Sequence, residues 1–387
     1  MARANAVTEL LNMKILYITT IGATMGFFKS FIKELVDAGH TVDLACNQDL
    51  APIDDFYFDL GCKEYQIDCT RSPFAKGNIT CVKQIKKLVE DNQYDIVHCH
   101  TPIAAACTRI ACKGIRKQRA NTDHPLRVFY TAHGFHFYKG APKKNWIIFY
   151  PIEKLCARWT DTLIAINKED YNLAKEKFEG LGKTNKLAGC RIEYVPGVGI
   201  DVDKFKNTVV DRAAKRHELG IPEDAFLLLS VGELNENKNH QIVIRALADL
   251  MKTDEGKAKN YYYIIAGEGP LRGWLQDLIN SLELTERVKL LGFRKDCAEL
   301  YKTADLFIHP SLREGLPVSV MEAEAAGLAC IGSNIRGNQD LMLPENLFIS
   351  DSVEVLNKCI LQSNTSIHDI NCFEKAIINK QLGKIYE

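Results

Sequence analysis

The stretch "HPSLREGLPVSVMEAEAAG", residues 309–327, has to be read as strand, loop and helix before anything else in the chain falls into place. The apolar run Leu306–His309 reads as a strand and Ser311–Leu316 as a loop. Pro317 suits the first helical position, where a missing N–H is harmless. The helix then runs Val318–Ala326 and Gly327 stops it. Its amino end carries partial positive charge and unpaired amides, which together make an anion site. Gly315 allows close approach to the backbone. Pro317 cannot donate, so a phosphate there must be held by the amides of Gly315, Leu316 or Val318. Glu314 and Glu322, with seven residues between them, bracket that position. Glu322 lies about 7.5 Å along the helix from Pro317. A carboxylate there would repel phosphate but could accept from ribose hydroxyls. A diphosphate between the acids would put a ribose near one and a sugar near the other. Glu324 points roughly 200° away from Glu322 and cannot share the site. Acids also favour helix starts for electrostatic reasons alone, and this stretch by itself leaves both readings open.

Working outward, short apolar runs alternate with helical patterns. The first half offers strands at Ile15–Thr19, Val42–Cys46, Ile96–His100, Val128–Ala132, Leu163–Ile166 and Ile192–Val195. Phe28, Phe31, Ile32, Leu35 and Val36 mark one face of a helix between the first two, closed by Gly39. The second half offers Phe226–Val231, Tyr262–Ala266, Val288–Leu291, Leu306–His309, Ala329–Gly332 and Leu347–Ile349. Strands alternating with helices imply an α/β fold of parallel sheets wound on both faces. The Pro- and Gly-containing "VPGVGIDVDKF" (195–205) separates two Rossmann-like units. Ligands of such sheets bind beyond the carboxyl ends of the strands, here in a cleft between the units.

Composition narrows the class. The 387 residues suffice for two domains, and Lys plus Arg equals Asp plus Glu at 49 each, which argues against a nucleic-acid binder. The charge is uneven: residues 1–195 hold 27 basic against 21 acidic side chains, and residues 101–150 hold nine against one. That excess points to an anionic partner on the first half. Thirteen cysteines without a CxxC pair read as reduced thiols of a cytosolic protein. No apolar run approaches a membrane span. Residues 1–12 read as a disordered lead.

The E-x7-E spacing after "HPS", with "GLP" between the acids and "AAG" after them, resembles the retaining glycosyltransferases of family 4, which have the GT-B fold. The likeness extends through "MKILYIT" (13–19), "YDIVHCHTP" (94–102), "TAHGF" (131–135), "GIDVDKF" (199–205), "VGELNENKNH" (231–240), "IIAGEGPLR" (264–272) and "LGFRKD" (291–296). "HGFHFYKGAP" (133–142) is similar to bacterial capsule and exopolysaccharide transferases acting on polyprenyl-diphosphate-linked sugars. The resemblance implies two Rossmann-like domains facing across a cleft. It places an acceptor domain at 13–197, a nucleotide-sugar domain at 198–370, and a C-terminal helix at 371–387 that crosses back to the first domain.

It further implies transfer from a nucleotide sugar, usually UDP-linked, to an acceptor hydroxyl with retention, without cofactor or metal. Glu322 would hold the ribose, Glu314 would face the donor sugar, and Lys238 would neutralise the departing diphosphate. His133 would hydrogen-bond the sugar and Gly22 would line the cleft. Many relatives have Arg where this chain has Glu233. Arg272, Arg294 or Arg313 are the candidate substitutes.

Other features are weighed against plainer readings. "DVD" (201–203) imitates a metal-binding DxD but reads better as a polar turn. His98 and His100 share a strand face, yet no further metal ligands follow at a recognisable spacing. His100 belongs near the acceptor. "FHFYKGAPKKNWIIFY" (135–150) interleaves aromatics and lysines, which suits contact with an anionic membrane at the inner face. Its alternative is a core helix with Trp146, Ile147, Phe149 and Tyr150 inward. Arg71 is a candidate contact for an acceptor diphosphate. An NDP-sugar epimerase of the same fold and a non-catalytic nucleotide-sugar-binding subunit stand as rival functions.

Overall fold

The computed structural model describes residues 12–349, 351–362 and 370–387. Apart from Asn12, the lead read over residues 1–12 lies outside them. The chain forms two compact units, one ending at Val195 and the other beginning at Pro196.

In the first unit, β1 (Lys14–Ile21), β2 (Thr41–Asn47), β3 (Glu64–Gln66), β4 (Ile96–His100), β5 (Arg127–Ala132), β6 (Thr162–Ala165) and β7 (Arg191–Tyr194) form one parallel sheet. Its order is β3-β2-β1-β4-β5-β6-β7. In the second unit, β8 (Phe226–Val231), β9 (Tyr261–Ala266), β10 (Val288–Gly292), β11 (Leu306–His309), β12 (Cys330–Ser333) and β13 (Leu347–Phe348) are ordered β10-β9-β8-β11-β12-β13. Every strand pair is parallel.

The strands read as unbroken apolar runs because helices cover both sheet faces. Ile15, Leu16, Tyr17 and Ile18 of β1 are all fully buried. Leu16, Ile18 and Val97 pack with Ile85 of helix Gly77–Asn92 and Ile115 of helix Pro102–Arg119. Leu228, Ile265 and Ile308 pack with Val243 and Leu247 of helix His240–Leu250.

Twelve of the thirteen strands among the described residues overlap the runs read from sequence. The exception is β3, three residues without an apolar run, whose backbone pairs with β2 at the sheet edge. Phe28 ends a 3-10 turn, Gly22–Phe28, while Phe31, Ile32 and Leu35 are the buried face of helix Lys29–Asp37. In both sheets the order reverses at the centre, between β1 and β4 and between β8 and β11. Loops leaving these strands diverge and open a crevice beyond the carboxyl ends.

Candidate functional site

Lys238, Glu314 and Glu322 lie on the turns and helix that leave β8 and β11 at the second unit's reversal point. Leaving β8, the chain turns through Glu236–Lys238, a 3-10 turn capped by Asn235, whose Oδ1 accepts from the Lys238 amide at 3.0 Å. A Cβ at Gly232 would meet the lysine stem at 3.2 Å, so the glycine leaves room for the side chain to lie across it. Leaving β11, the chain turns through residues 310–317 into helix Val318–Ala325. Pro317 is the helix cap, not the first helical residue: its ψ of 116° is extended, and its carbonyl accepts from Val320 and Met321. Among the described residues, the backbone amides of Gly315, Leu316 and Val318 have no hydrogen-bond acceptor.

Lys238 Nζ donates to Glu314 Oε1 at 2.7 Å and so joins the two turns. Burial pushes the Glu314 carboxyl up, but Lys238 and then His309 outweigh it and hold the group below its ordinary value. The carboxylate is therefore ionised at neutral pH. His309 Nε2 stands 3.8 Å from the same oxygen. Burial, with Lys238 beside it, lowers the His309 imidazole to about 4, so it is neutral. Its Nδ1 lies 2.9 Å from Asn338 Oδ1, whose own amide nitrogen donates to the Ser333 carbonyl. The proton therefore belongs on Nδ1, and Nε2 is left as an acceptor.

Glu322 is half-buried, and Tyr301 donates to its Oε2 at 3.0 Å. Burial raises its carboxyl pKa, opposed by the Tyr301 hydroxyl and by Lys204 and Lys375. Neither acid of the pair is a freely solvated helix-start charge. Glu324 is buried deeper than Glu322, and its Oε2 finds no partner among the described residues.

In the first unit, His100 ends β4 and His133 follows β5, at the corresponding reversal. His100 Nδ1 and His133 Nε2 are 3.1 Å apart. Burial lowers the His133 pKa to about 4 and that of His100 well below the ordinary value, so the pair is neutral and shares one proton along that contact. The His100 ring stacks on Tyr17 at 5.5 Å, and its Nε2 has no partner among the described residues. His98 instead meets Thr131 Oγ1 at 2.8 Å. Gly22 is tightly required by its own chain: a Cβ there would come within 2.2 Å of the Pro52 carbonyl oxygen. The close approach at this glycine is by the segment around Pro52.

The remaining candidates are dispersed. Arg294 is engaged by Asp296 and by Glu218, at 3.0 Å for the latter, so any phosphate must displace carboxylates to reach it. Arg272 is exposed, 3.7 Å from Glu268. Arg313 is exposed on the turn, where its carbonyl accepts from Asn237. Arg71 is exposed in a turn organised by Asn78. Asp201, first of the "DVD" acids, caps helix Val202–Asn207 by accepting from Lys204, which makes this segment a polar turn. Among the described residues no three His, Cys, Asp or Glu side chains group as metal ligands. In 135–150, Trp146, Phe149 and Tyr150 pack on the core while Ile147 is 73% exposed, so the inward-helix reading fails at that one residue.

Four contributors went unrecognised in the sequence. Tyr301 holds Glu322 from a neighbouring helix. Arg336 Nε donates to the Glu314 carbonyl at 3.0 Å, and Asn338 steers His309. Their only local signal is a polar run, "NIRGN", directly after an apolar strand. Thr101, after β4, has φ 63° and ψ 140°, strained for a β-branched residue. Its hydroxyl lies 2.7 Å from that of Thr20, tying the ends of β4 and β1 together at the reversal.

Residues 14–167 match the family described as glycosyl transferase 4-like, and residues 211–362 match that described as glycosyl transferases group 1. The chain is 36% identical over 332 residues to the Bacillus subtilis (strain 168) protein named "Putative glycosyltransferase EpsD", spanning 85% of this chain and 81% of that one. It is 28% identical over 365 residues to an Escherichia coli UDP-Gal:alpha-D-GlcNAc-diphosphoundecaprenol alpha-1,3-galactosyltransferase, spanning 87% and 89%. Among solved structures, Anabaena Alr3699/HepE in complex with UDP and glucose superposes with a TM-score of 0.70 at 20% identity, over 97% of this chain and 99% of that one.

Proposed function

The chain belongs to glycosyltransferase family 4 and has the GT-B fold, and from that premise we propose that it moves a sugar from a UDP-linked donor to a hydroxyl of a lipid-linked saccharide, keeping the anomeric configuration. It is related to the Bacillus subtilis protein named EpsD and to an E. coli galactosyltransferase whose name gives a lipid-linked acceptor. The observation that carries the reading is the Lys238–Glu314 ion pair beside three backbone amides at the reversal of the second sheet. The amides of Gly315, Leu316 and Val318 take the donor diphosphate, and Glu322, oriented by Tyr301, accepts from the ribose. Glu314 faces the sugar. Lys238 is then placed to meet the charge that grows on the diphosphate as the anomeric C–O bond breaks. The acceptor oxygen forms its bond on the same face, and its proton leaves with the diphosphate.

Glu233 accepts from Asn235 and adds no positive charge. Arg336, buried and bonded to the Glu314 carbonyl, supplies the second cation in this reading. The first unit takes the acceptor, with His133 and His100 at its saccharide end. UDP as the donor nucleotide is supported by its presence in the Anabaena structure, and the lipid-linked acceptor by the E. coli relative. No described helix is long and apolar enough to cross a membrane. Of the cations in 101–150, Arg109 and Arg116 are buried in ion pairs, and the exposed Lys113, Lys117, Lys139, Lys143 and Lys144 suit peripheral attachment to the anionic inner face.

The test is release of UDP coupled to entry of radiolabelled sugar into an organic-soluble acceptor. Folded Glu322→Ala and Lys238→Ala variants are expected to lose it, and undiminished turnover in both would overturn the site. Turnover of the nucleotide sugar with no acceptor present would mark an epimerase instead, a reading that the transferase relatives do not favour. Tyr301→Phe is expected to raise the donor KM about ten- to a hundredfold while kcat changes little. The variant deletes one hydrogen bond to a charged group, worth about 1.5–3 kcal/mol. A donor KM within twofold of the parent's would show that Glu322 does not need its tyrosine.

A further inference from the structure

The first unit contains an apolar groove of about 780 Å³, within the range of about 300–1,000 Å³ found for ligand pockets. Helices Gly77–Asn92, Pro102–Arg119 and Lys143–Ala157 form its walls, through Ile79, Val82, Ile103, Ile110, Phe149 and Leu155. Large apolar side chains remain in water around it: Phe74 is 80% exposed, Ile79 64% and Leu155 48%. Such a cluster marks a binding surface. The reading given above for the active centre makes no use of it.

Two features identify the occupant. The first is continuity with the acceptor end of the sheet. Pro102 and Gly134 line the groove, and each follows closely on a residue of the histidine pair, His100 and His133. The second is charge. Lys76 and Lys83 line the groove, Lys113 Nζ sits 5.0 Å over the ring of Trp159 in its wall, and Arg71 lies two residues before Pro73. An apolar slot with two lysines in its lining and its lining acid, Glu153, neutralised by Arg109, opening beside a polar histidine pair, is complementary to an amphiphile with a hydrocarbon tail, an anionic link and a saccharide head. The concave part of the groove has room for a single chain, and the projecting Phe74 and Ile79 lie at its rim.

We propose that this groove binds the isoprenoid chain of the acceptor lipid, next to its diphosphate, and so selects acceptors by chain length. The proposal rests on the lipid-linked acceptor reading above.

The experiment uses the full chain and a series of saccharide acceptors on diphosphates bearing C5, C15 and longer isoprenoids. With the parent protein, the acceptor KM is expected to fall at least tenfold from C5 to C15. Ala106→Trp fills the groove from helix Pro102–Arg119 and is expected to abolish that preference. The donor KM and turnover of the C5 acceptor are expected to stay within twofold. Ile79→Glu, at an exposed position where folding is not at stake, is expected to act in the same direction. Equal KM values for all chain lengths with the parent protein, or a preference that survives in both variants, would overturn the groove while leaving the lipid-linked acceptor intact. No transfer to any isoprenoid-linked acceptor would instead overturn the reading beneath it, and the groove assignment with it.

Discussion

Lys238→Ala is expected to lower kcat by about a hundred- to a thousandfold, the range typical for deleting one group aimed at developing transition-state charge. The loss should fall mainly on kcat, because the amides of Gly315, Leu316 and Val318 still bind the diphosphate before charge has grown. The variant also strips Glu314 of its counter-ion. With lysine present, attraction outweighs burial and the carboxyl titrates below its ordinary value. A depressed carboxyl contributes stability that is present above its unfolded pKa and lost as pH falls through the folded one. Without Lys238 the largest opposition to burial is gone, leaving only the smaller effects of His309 and the Ser311 hydroxyl, and the pKa rises. The residual activity of Lys238→Ala should therefore fall as pH drops through the raised value, in a range where the parent protein is flat. A pH–rate profile of both proteins checks this. A kcat within threefold of the parent's, with an unchanged profile, would show that the lysine is not the counter-charge.

Glu324→Met is expected to stabilise the protein. The glutamate is 5% exposed, one carboxyl oxygen has no partner among the described residues, and burial pushes its pKa up to about 8. The sign follows from linkage. The folded state holds a proton that the unfolded state releases at 4.5, so stability is highest below 4.5 and declines until pH passes about 8. By pH 7 the penalty is about 3 kcal/mol, taking 1.36 kcal/mol per pH unit. Methionine has a similar length and no charge to desolvate, so most of that penalty is recovered. At about 2–4 °C per kcal/mol, Tm at pH 7 should rise by roughly 5–10 °C. The fall in Tm between pH 5 and 8 should flatten. Thermal melts across that range would read both, and an unchanged Tm with an unchanged slope would mean the carboxyl is solvated in the folded state.

The sheets were legible in the chain because their signal is local. A strand covered on both faces must be apolar along its length, and a helix between two such strands must carry an apolar stripe. The one missed strand, β3, is held by backbone bonds at an edge and leaves no such trace. The turn after β11 was legible for a related reason. Glycine, proline and two acids at fixed offsets constrain what a helix start can do, although Pro317 caps the helix one position earlier than its chemistry suggested.

The pairings were not legible. Lys238 and Glu314 are 76 residues apart in sequence and 2.7 Å apart in the fold. Tyr301 reaches Glu322, Asn338 turns His309, and His100 meets His133. Each depends on which strand lies beside which, and the central reversal of both sheets decides that. Periodicity reports whether a residue faces inward; it carries no information about what waits there. From the sequence alone, Glu324 could be assigned only to the side of its helix opposite Glu322. Whether that side met water or core was settled by packing, and with it whether a glutamate there is a harmless surface charge or a buried, protonated acid.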